Sequence, residues 1–233
     1  METETRKGAI EKSLAAVRGR GFLGRLRPEV IEEVIESAPF VRYAARETFR
    51  VETSIVASGL LGYGLSHPNG RHITIKYVTA GDLVPDAGLQ ASALSTGVQA
   101  IEPSVLLQLD PARLRAVSMR HPEVSQALLE NLTDSLRSAY RALATRSFAS
   151  VRSRVAGDLV GRARAGRGLY PGVQLRVTHQ GLADSIGSVR EVVARSLIEL
   201  RRQGVVATGH SLVTIVDVDA LASEAGLEGT LPP

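Results

Sequence analysis

The sequence predicts a mixed α+β chain in three parts: an N-terminal β-roll of jelly-roll type, one long helix, and two short helices followed by a β-hairpin. Three observations carry this. Runs rich in β-branched residues at 54–57, 72–78 and 98–101 alternate with turn residues (Gly59, Pro68-Asn69-Gly70, Gly81, Pro85, Gly88, Pro103), the texture of small barrels and jelly rolls. After His121-Pro122, an apolar stripe of Val124, Leu128, Leu132, Leu136, Ala139 and Leu143 steps at helical spacing. No proline interrupts that pattern to about Ala165. From Val177 to Leu221 the apolar period changes again, with glycines between short amphipathic runs.

The elements follow in order. The first 38 residues read as helical, with Val30, Ile31, Val34 and Ile35 on one side and Pro39 as the stop. The strand-rich region runs from Phe40 to about Leu109. Asp110-Pro111 is a helix start, an N-cap followed by proline at the first helical position. The long stripe would be explained by packing on the chain's own roll, or by a two-fold seam with a second copy. Gly166-Arg167-Gly168 ends the helical stretch.

Composition bounds the chemistry. The 233 residues are 44% hydrophobic and 22% charged, enough to build ordinary cores in one or two domains. Zero cysteine excludes a disulfide framework, thiolate zinc and iron–sulfur clusters. No run of 18 apolar residues and no signal-type apolar core predict a soluble, cytoplasmic chain without a membrane contact. No Ser/His/Asp set, paired-histidine metal spacing or phosphate-loop lysine points to an enzyme, and Gly62-Tyr63-Gly64 is too short for a nucleotide fingerprint. His67, His72, His121, His179 and His210 are scattered and read as surface or turn residues rather than metal ligands. Charge is unevenly spread. Between Arg146 and His210, eleven arginines face four acids, a net of 11 − 4 = +7, while the remainder nets 17 − 20 = −3. That asymmetry fits either a polyanion partner or a merely solvated surface.

The segment 177–221 favours the polyanion partner. Thr178-His179-Gln180 opens a short helix whose inward residues are Leu182, Ala183 and Ile186, and Gly187 supplies a turn. Ser188, with Glu191 three residues on, matches a capping box for a second helix. On a helical wheel, Val193, Leu197 and Leu200 gather within about 60°, the core side. Arg190, Glu191, Ala194, Arg195 and Ile198 form a separate outward arc. Helix, tight turn and amphipathic second helix make a helix-turn-helix. Its outward arc holds arginine, which forks to guanine, and glutamate, which accepts from cytosine N4. Strands at Val205–Ala207 and Leu212–Val216 around Gly209-His210 form a wing. His179, at a helix N-terminus, suits a phosphate contact.

The stretch THQGLADSIGSVREVVARSLIELRRQGVV resembles the winged helix-turn-helix of the CRP/FNR family of bacterial transcription regulators, and GRHITIKYVTAGDLV resembles that family's cyclic-nucleotide-binding roll. The resemblance covers about residues 20–221. It implies an effector or sensor domain at 1–109, a long dimerisation helix at 110–146 and a DNA-binding domain at 147–233. It implies a homodimer on double-stranded DNA, with RNA polymerase as a further partner. Arg190, Glu191 and Arg195 match the family's base readers, implying a palindromic TGTGA-like site. Thr178 matches a phosphate-contacting position of the family; His179 and Ser188 are expected to contact phosphate beside it.

The effector region departs from the family pattern. Where nucleotide-binding members carry a ribose-binding Glu and an Arg-Ser pair, this chain reads Pro85-Asp86-Ala87-Gly88 and Leu94-Ser95. Ala139 and Tyr140 replace the adenine-contacting hydroxyls, and no histidine stands near Asp86-Ala87 to hold haem. A cyclic nucleotide, haem or iron–sulfur cofactor is therefore not expected. Leu83, Asp86, Leu89, Leu94, Ser95 and Tyr140 could line a pocket for an uncharged small-molecule effector, or simply fill a core. The alternative function is a small-molecule-binding module whose basic C-terminal domain contacts protein rather than DNA.

Overall fold

A computed structural model describes residues 19, 21–50, 52–67, 72–86, 90–91 and 94–226. Residues 1–18, the Pro68-Asn69-Gly70 turn, Gly88, Leu89 and the side chain of Leu94 lie outside the described residues. After a 3-10 turn at Leu23–Arg25 and helix α1 (Pro28–Ile35), nine strands build the roll. They are β1 (Phe40–Tyr43), β2 (Thr48–Phe49), β3 (Ser54–Ser58), β4 (Leu60–Ser66), β5 (His72–Thr79), β6 (Leu83–Val84), β7 (Gln90–Ala91), β8 (Leu94–Ala100) and β9 (Ser104–Gln108). One antiparallel sheet runs β1-β9-β3-β6 and the other β2-β8-β4-β5, with β7 paired to β8. Their facing sides bury Val56, Leu61, Tyr63, Val78, Val84, Val98, Ala100 and Leu106. The outer side of the first sheet packs on α1 through Val30, Ile31, Val34 and Ile35, so the predicted apolar face is the one used.

The long helical stretch is divided more finely than the sequence predicts. The single helix expected at 110–146 is two, α2 (Pro111–Arg120) and α3 (Pro122–Phe148). Asp110 caps α2 by accepting from the Ala112 N–H at 2.9 Å. His121 is extended (φ −121°, ψ 95°), because the ring of Pro122 disfavours helical geometry in the residue before it. A second break falls at Ala149-Ser150, inside the pattern read as continuous to Ala165. There Ser150 accepts from the Ser153 N–H at 3.0 Å and starts α4 (Val151–Ala165).

The C-terminal unit holds β10 (Gln174–Arg176), α5 (His179–Ile186), α6 (Arg190–Arg202), β11 (Val206–Gly209), β12 (Leu212–Ile215) and α7 (Val218–Glu224). The wing has three strands, in the order β10-β12-β11, rather than the expected two. Its core gathers Val155 and Leu159 of α4, Leu182 and Ile186 of α5, Val193, Leu197 and Leu200 of α6, and Ile215 of the wing.

This unit docks on β5 through polar groups. Tyr77 reaches out to α4 and α5, where its hydroxyl donates to Asp158 and lies 2.9 Å from the Ser185 hydroxyl. Arg162 Nε donates to Asp158 at 2.6 Å while its guanidinium lies 5.1 Å from the Tyr77 ring centre. Close approach here depends on Gly161, where a Cβ would stand 3.0 Å from the Tyr77 ring.

His72 corrects the expectation that every histidine is a surface or turn residue: it is only 1% exposed. Its Nδ1 lies 3.0 Å from the Ser66 hydroxyl, and its Nε2 is buried without a partner among the described residues. Burial holds the imidazole neutral and lowers its pKa to about 4. The unfolded chain therefore takes up a proton that the folded one resists. Stability from this group is full above about pH 6.5 and is expected to fall by about 2–3 kcal/mol as pH drops towards 4. Denaturant titrations across that window should be flatter for His72→Asn; an unchanged slope places the titration elsewhere.

Candidate nucleic-acid interface

The helix-turn-helix forms because each end has its own stop. Thr178 caps α5, its hydroxyl accepting from the Gly181 N–H at 3.0 Å and keeping its own proton to donate. Gly187 ends α5 at φ +65°, a conformation in which a Cβ is strained. The Ser188 N–H returns to the Ala183 carbonyl at 2.8 Å, closing the turn. α6 then begins at Arg190, and Val189, not Ser188, is its N-cap. The predicted capping box therefore does not form: no side chain caps α6, and Ser188 stands one position too early.

The faces of α6 divide as the wheel predicts. Val193, Leu197 and Leu200 are fully buried, whereas Arg190, Glu191 and Arg195 are exposed. None of the three readers is in an ion pair with another described residue. Two apolar residues share this outer surface, Ile198 at 49% exposure and Val189 at 56%. They suit contact with thymine methyls. A capping role for Ser188 hides Val189, whose signal is a β-branched residue directly before the charged turn. The exposed His179 and half-buried Thr178 lie together at the start of α5. Arg201, one helical turn beyond the readers, lies 3.5 Å from Thr208 in the wing.

The six expected effector-pocket residues do not converge among the described residues. Leu83 is buried in the cluster shared with α1, and its carbonyl accepts from Asn131 at 3.4 Å. Asp86 is exposed, with its N–H on Thr53, while Tyr140 is 65% exposed on α3. Ser95 is half-buried and pairs with Gln90 and Ser66 in the sheet; Leu94 pairs with Ala91 through its backbone. Leu89 is outside the described residues.

Lys76, the nearest basic residue on the preceding strand β5, is turned towards α3. Its Nζ donates to Ser135 of α3 at 2.9 Å and lies 5.6 Å from the Tyr63 ring centre. Burial lowers its pKa and raises that of nearby Asp82. The alternation of β5 signals this placement, with Val78 inside and Tyr77 outside. Among the described residues no cluster of histidines and acids could hold a metal ion.

Residues 153–224 match the profile of the Crp-like helix-turn-helix domain. The chain is 31% identical over 188 residues to the transcriptional regulator LdrP of Thermus thermophilus, spanning 78% of this chain and 89% of LdrP. It is 28% identical over 178 residues to the cAMP-activated global transcriptional regulator Vfr of Pseudomonas aeruginosa, spanning 71% and 83% of the two chains. The fold is similar to the crystal structure of a CRP-family transcriptional regulator from Thermus thermophilus. The TM-score is 0.64 at 27% identity, over 80% of this chain and 96% of that one.

Proposed function

The chain belongs to the CRP/FNR family of bacterial transcription regulators, and from that premise we propose that it binds a palindromic TGTGA-like site in double-stranded DNA as a homodimer. One observation carries the reading: Arg190, Glu191 and Arg195 stand exposed on one arc of α6, with no carboxylate or cation among the described residues engaging them. Charged groups left unpaired beside each other are solvated in the free protein and available to base edges. Thr178, His179 and Ser188 would hold the flanking phosphates. In this proposal residues 1–109 sense, 110–146 join two copies and 147–233 bind DNA.

Its relatives are transcription regulators rather than enzymes. RNA polymerase is the proposed protein partner, and the cytoplasm, where DNA is met, the proposed location. No helix among the described residues is long and apolar enough to cross a membrane. Vfr is cAMP-activated. Here we propose that the roll interior does not bind a cyclic nucleotide, because Leu94 stands at the phosphate-binding position and Lys76 is already engaged by Ser135.

Arg190→Ala is expected to cost about 1–3 kcal/mol of site binding and to relax preference at one guanine. Neutralising Arg201 and Arg202, past the reading arc, should weaken binding to all sequences alike and flatten the salt dependence. Selection from random duplexes tests both. Base preferences unchanged by Arg190→Ala would overturn the assignment, and no enriched palindrome from the unaltered protein would favour a protein-binding role for the basic domain.

A further inference from the structure

A cleft of about 510 Å³ runs along the outer edge of β5, roofed by the end of α3 and closed by α4 and the end of α5. Two arginines from opposite sides of the Ala149-Ser150 break meet there. Arg146 is the last arginine of α3 and Arg154 lies in the first turn of α4. Among the described residues, both donate only to carbonyl oxygens. Arg146 donates to Ala142 at 3.3 Å, Thr74 at 3.2 Å and Ser185 at 3.5 Å, and Arg154 donates to Ile186 at 3.0 Å. Neither is in an ion pair with a described carboxylate. The Nε of each is buried without a hydrogen-bond partner among the described residues, as is the Oγ1 of Thr74, a residue only 9% exposed.

Two half-buried guanidinium groups that line one cleft without a described counter-ion favour compensating negative charge there. Arg154 weakens the hold of Arg146 on its proton, as does burial, so the two charges oppose one another as the chain stands. The surrounding charge adds to the deficit. Lys76 approaches from β5, Arg141 from α3 and Arg164 from α4. The acids at the cleft are Asp82, which accepts the Thr79 N–H, and Asp158, which is committed to Arg162, Tyr77 and Ser185.

We infer that this cleft is a binding site for a phosphate-bearing small molecule, whose oxyanion is held by Arg146 and Arg154. A tetrahedral oxyanion offers acceptors to two guanidinium forks and a threonine hydroxyl together, in the geometry arginine fits. The volume exceeds what inorganic phosphate fills and lies within the range of about 300–1,000 Å³ typical of organic ligands. Val160, Ile186 and Ala165 supply apolar wall for the remainder of such a molecule. Because the two arginines flank the helix break, an oxyanion between them fixes the angle between α3 and α4, and hence the placement of α6. Binding stands independently of the proposed DNA function, whereas its regulatory meaning rests on that function. It is therefore measured without DNA.

The test is calorimetric titration of the full chain with pyrophosphate and with AMP, separating a bare oxyanion from one with an organic body. Saturable binding at one site per chain is expected for both, tighter for AMP. Arg146→Gln and Arg154→Gln should each weaken it at least tenfold, while Arg190→Ala, on the distant DNA-reading arc, should leave it unchanged. Ala142→Glu guards against a variant that merely misfolds. It places a carboxylate one turn before Arg146 and should raise the melting temperature while abolishing binding. Binding lost in Arg190→Ala but kept in Arg146→Gln puts the anion on the DNA face and overturns the inference. So does the absence of saturable binding of either probe into the millimolar range, or an Ala142→Glu protein that binds as before.

Discussion

Asp158→Ala is expected to destabilise the chain by about 3–5 kcal/mol, the range for removing one partner of a buried ion pair. Asp158 and Arg162 are 9% and 5% exposed, so water cannot replace the lost carboxylate. Asp158 Oδ2 accepts from Arg162, and Oδ1 accepts from Ser185 at 2.5 Å and from the Tyr77 hydroxyl. The alanine variant leaves one guanidinium without a counter-ion and two hydroxyls without their acceptor. Burial works against the Arg162 charge, but the Asp158 carboxylate outweighs it and holds the proton more firmly; burial pushes the Tyr77 phenol up. For a chain of this size the loss should lower the melting temperature by about 6–20 °C. Replacing both partners, as Asp158→Leu with Arg162→Met, should recover most of it, since apolar groups of similar shape do not leave a charge behind. A single variant that melts like the parent would mean that water reaches Arg162. Because Tyr77 belongs to the roll and Asp158 to the C-terminal unit, hydrogen exchange in β5 and α5 should rise together in Asp158→Ala.

Local signals were legible and long-range ones were not. The wheel of α6 separated Val193, Leu197 and Leu200 from Arg190, Glu191 and Arg195 because one helix must present one face to its own core. Sheet-forming runs and turn residues likewise located the roll. Ser188 failed as a cap because capping depends on where the turn leaves the backbone, and Gly187 returns the chain one residue later than the pattern implies. β10 escaped notice because a three-residue strand has too little alternation to register. The helical pattern read to Ala165 hid the Ser150 start, since neither proline nor glycine stands at Ala149-Ser150 to mark the break. No sequence rule joins Tyr77 to Asp158 or Arg146 to Arg154, pairs that the docking of two domains brings together. The effector residues were the least legible for the same reason: Leu83 and Tyr140 are placed by different packing layers, and the cation Lys76 is turned under α3 by its register in β5.

The largest effect on DNA binding is expected from Leu132→Arg or Leu136→Arg. The predicted α3 stripe divides in the structure: Val124 is buried and Leu128 half-buried against the roll, whereas Leu132, Leu136 and Leu143 are 66%, 55% and 63% exposed. Leu129 and Tyr140, at 60% and 65%, complete the exposed seam. Leu129, Leu136 and Leu143 are spaced by seven residues, the repeat of two helices packed side by side. Burying four leucines from each of two copies, at about 1.5–3 kcal/mol apiece, would contribute roughly 12–24 kcal/mol before association costs of about 4–15 kcal/mol. In the middle of those ranges a surplus of about 8 kcal/mol is left, enough for a stable pair. An arginine at Leu132 or Leu136 would meet its own symmetry mate near the two-fold axis, placing like charges in an apolar seam. Light scattering should then report monomers. A monomer engages one half-site at a time, so affinity for the palindrome should fall by about 10²–10⁴-fold, the gain that linking two sites provides. Binding to an isolated half-site should change little, because α6 is remote from the seam. An intact dimer in either variant would place the seam elsewhere, and unchanged palindrome affinity in a proven monomer would show that the two α6 helices do not act as a pair.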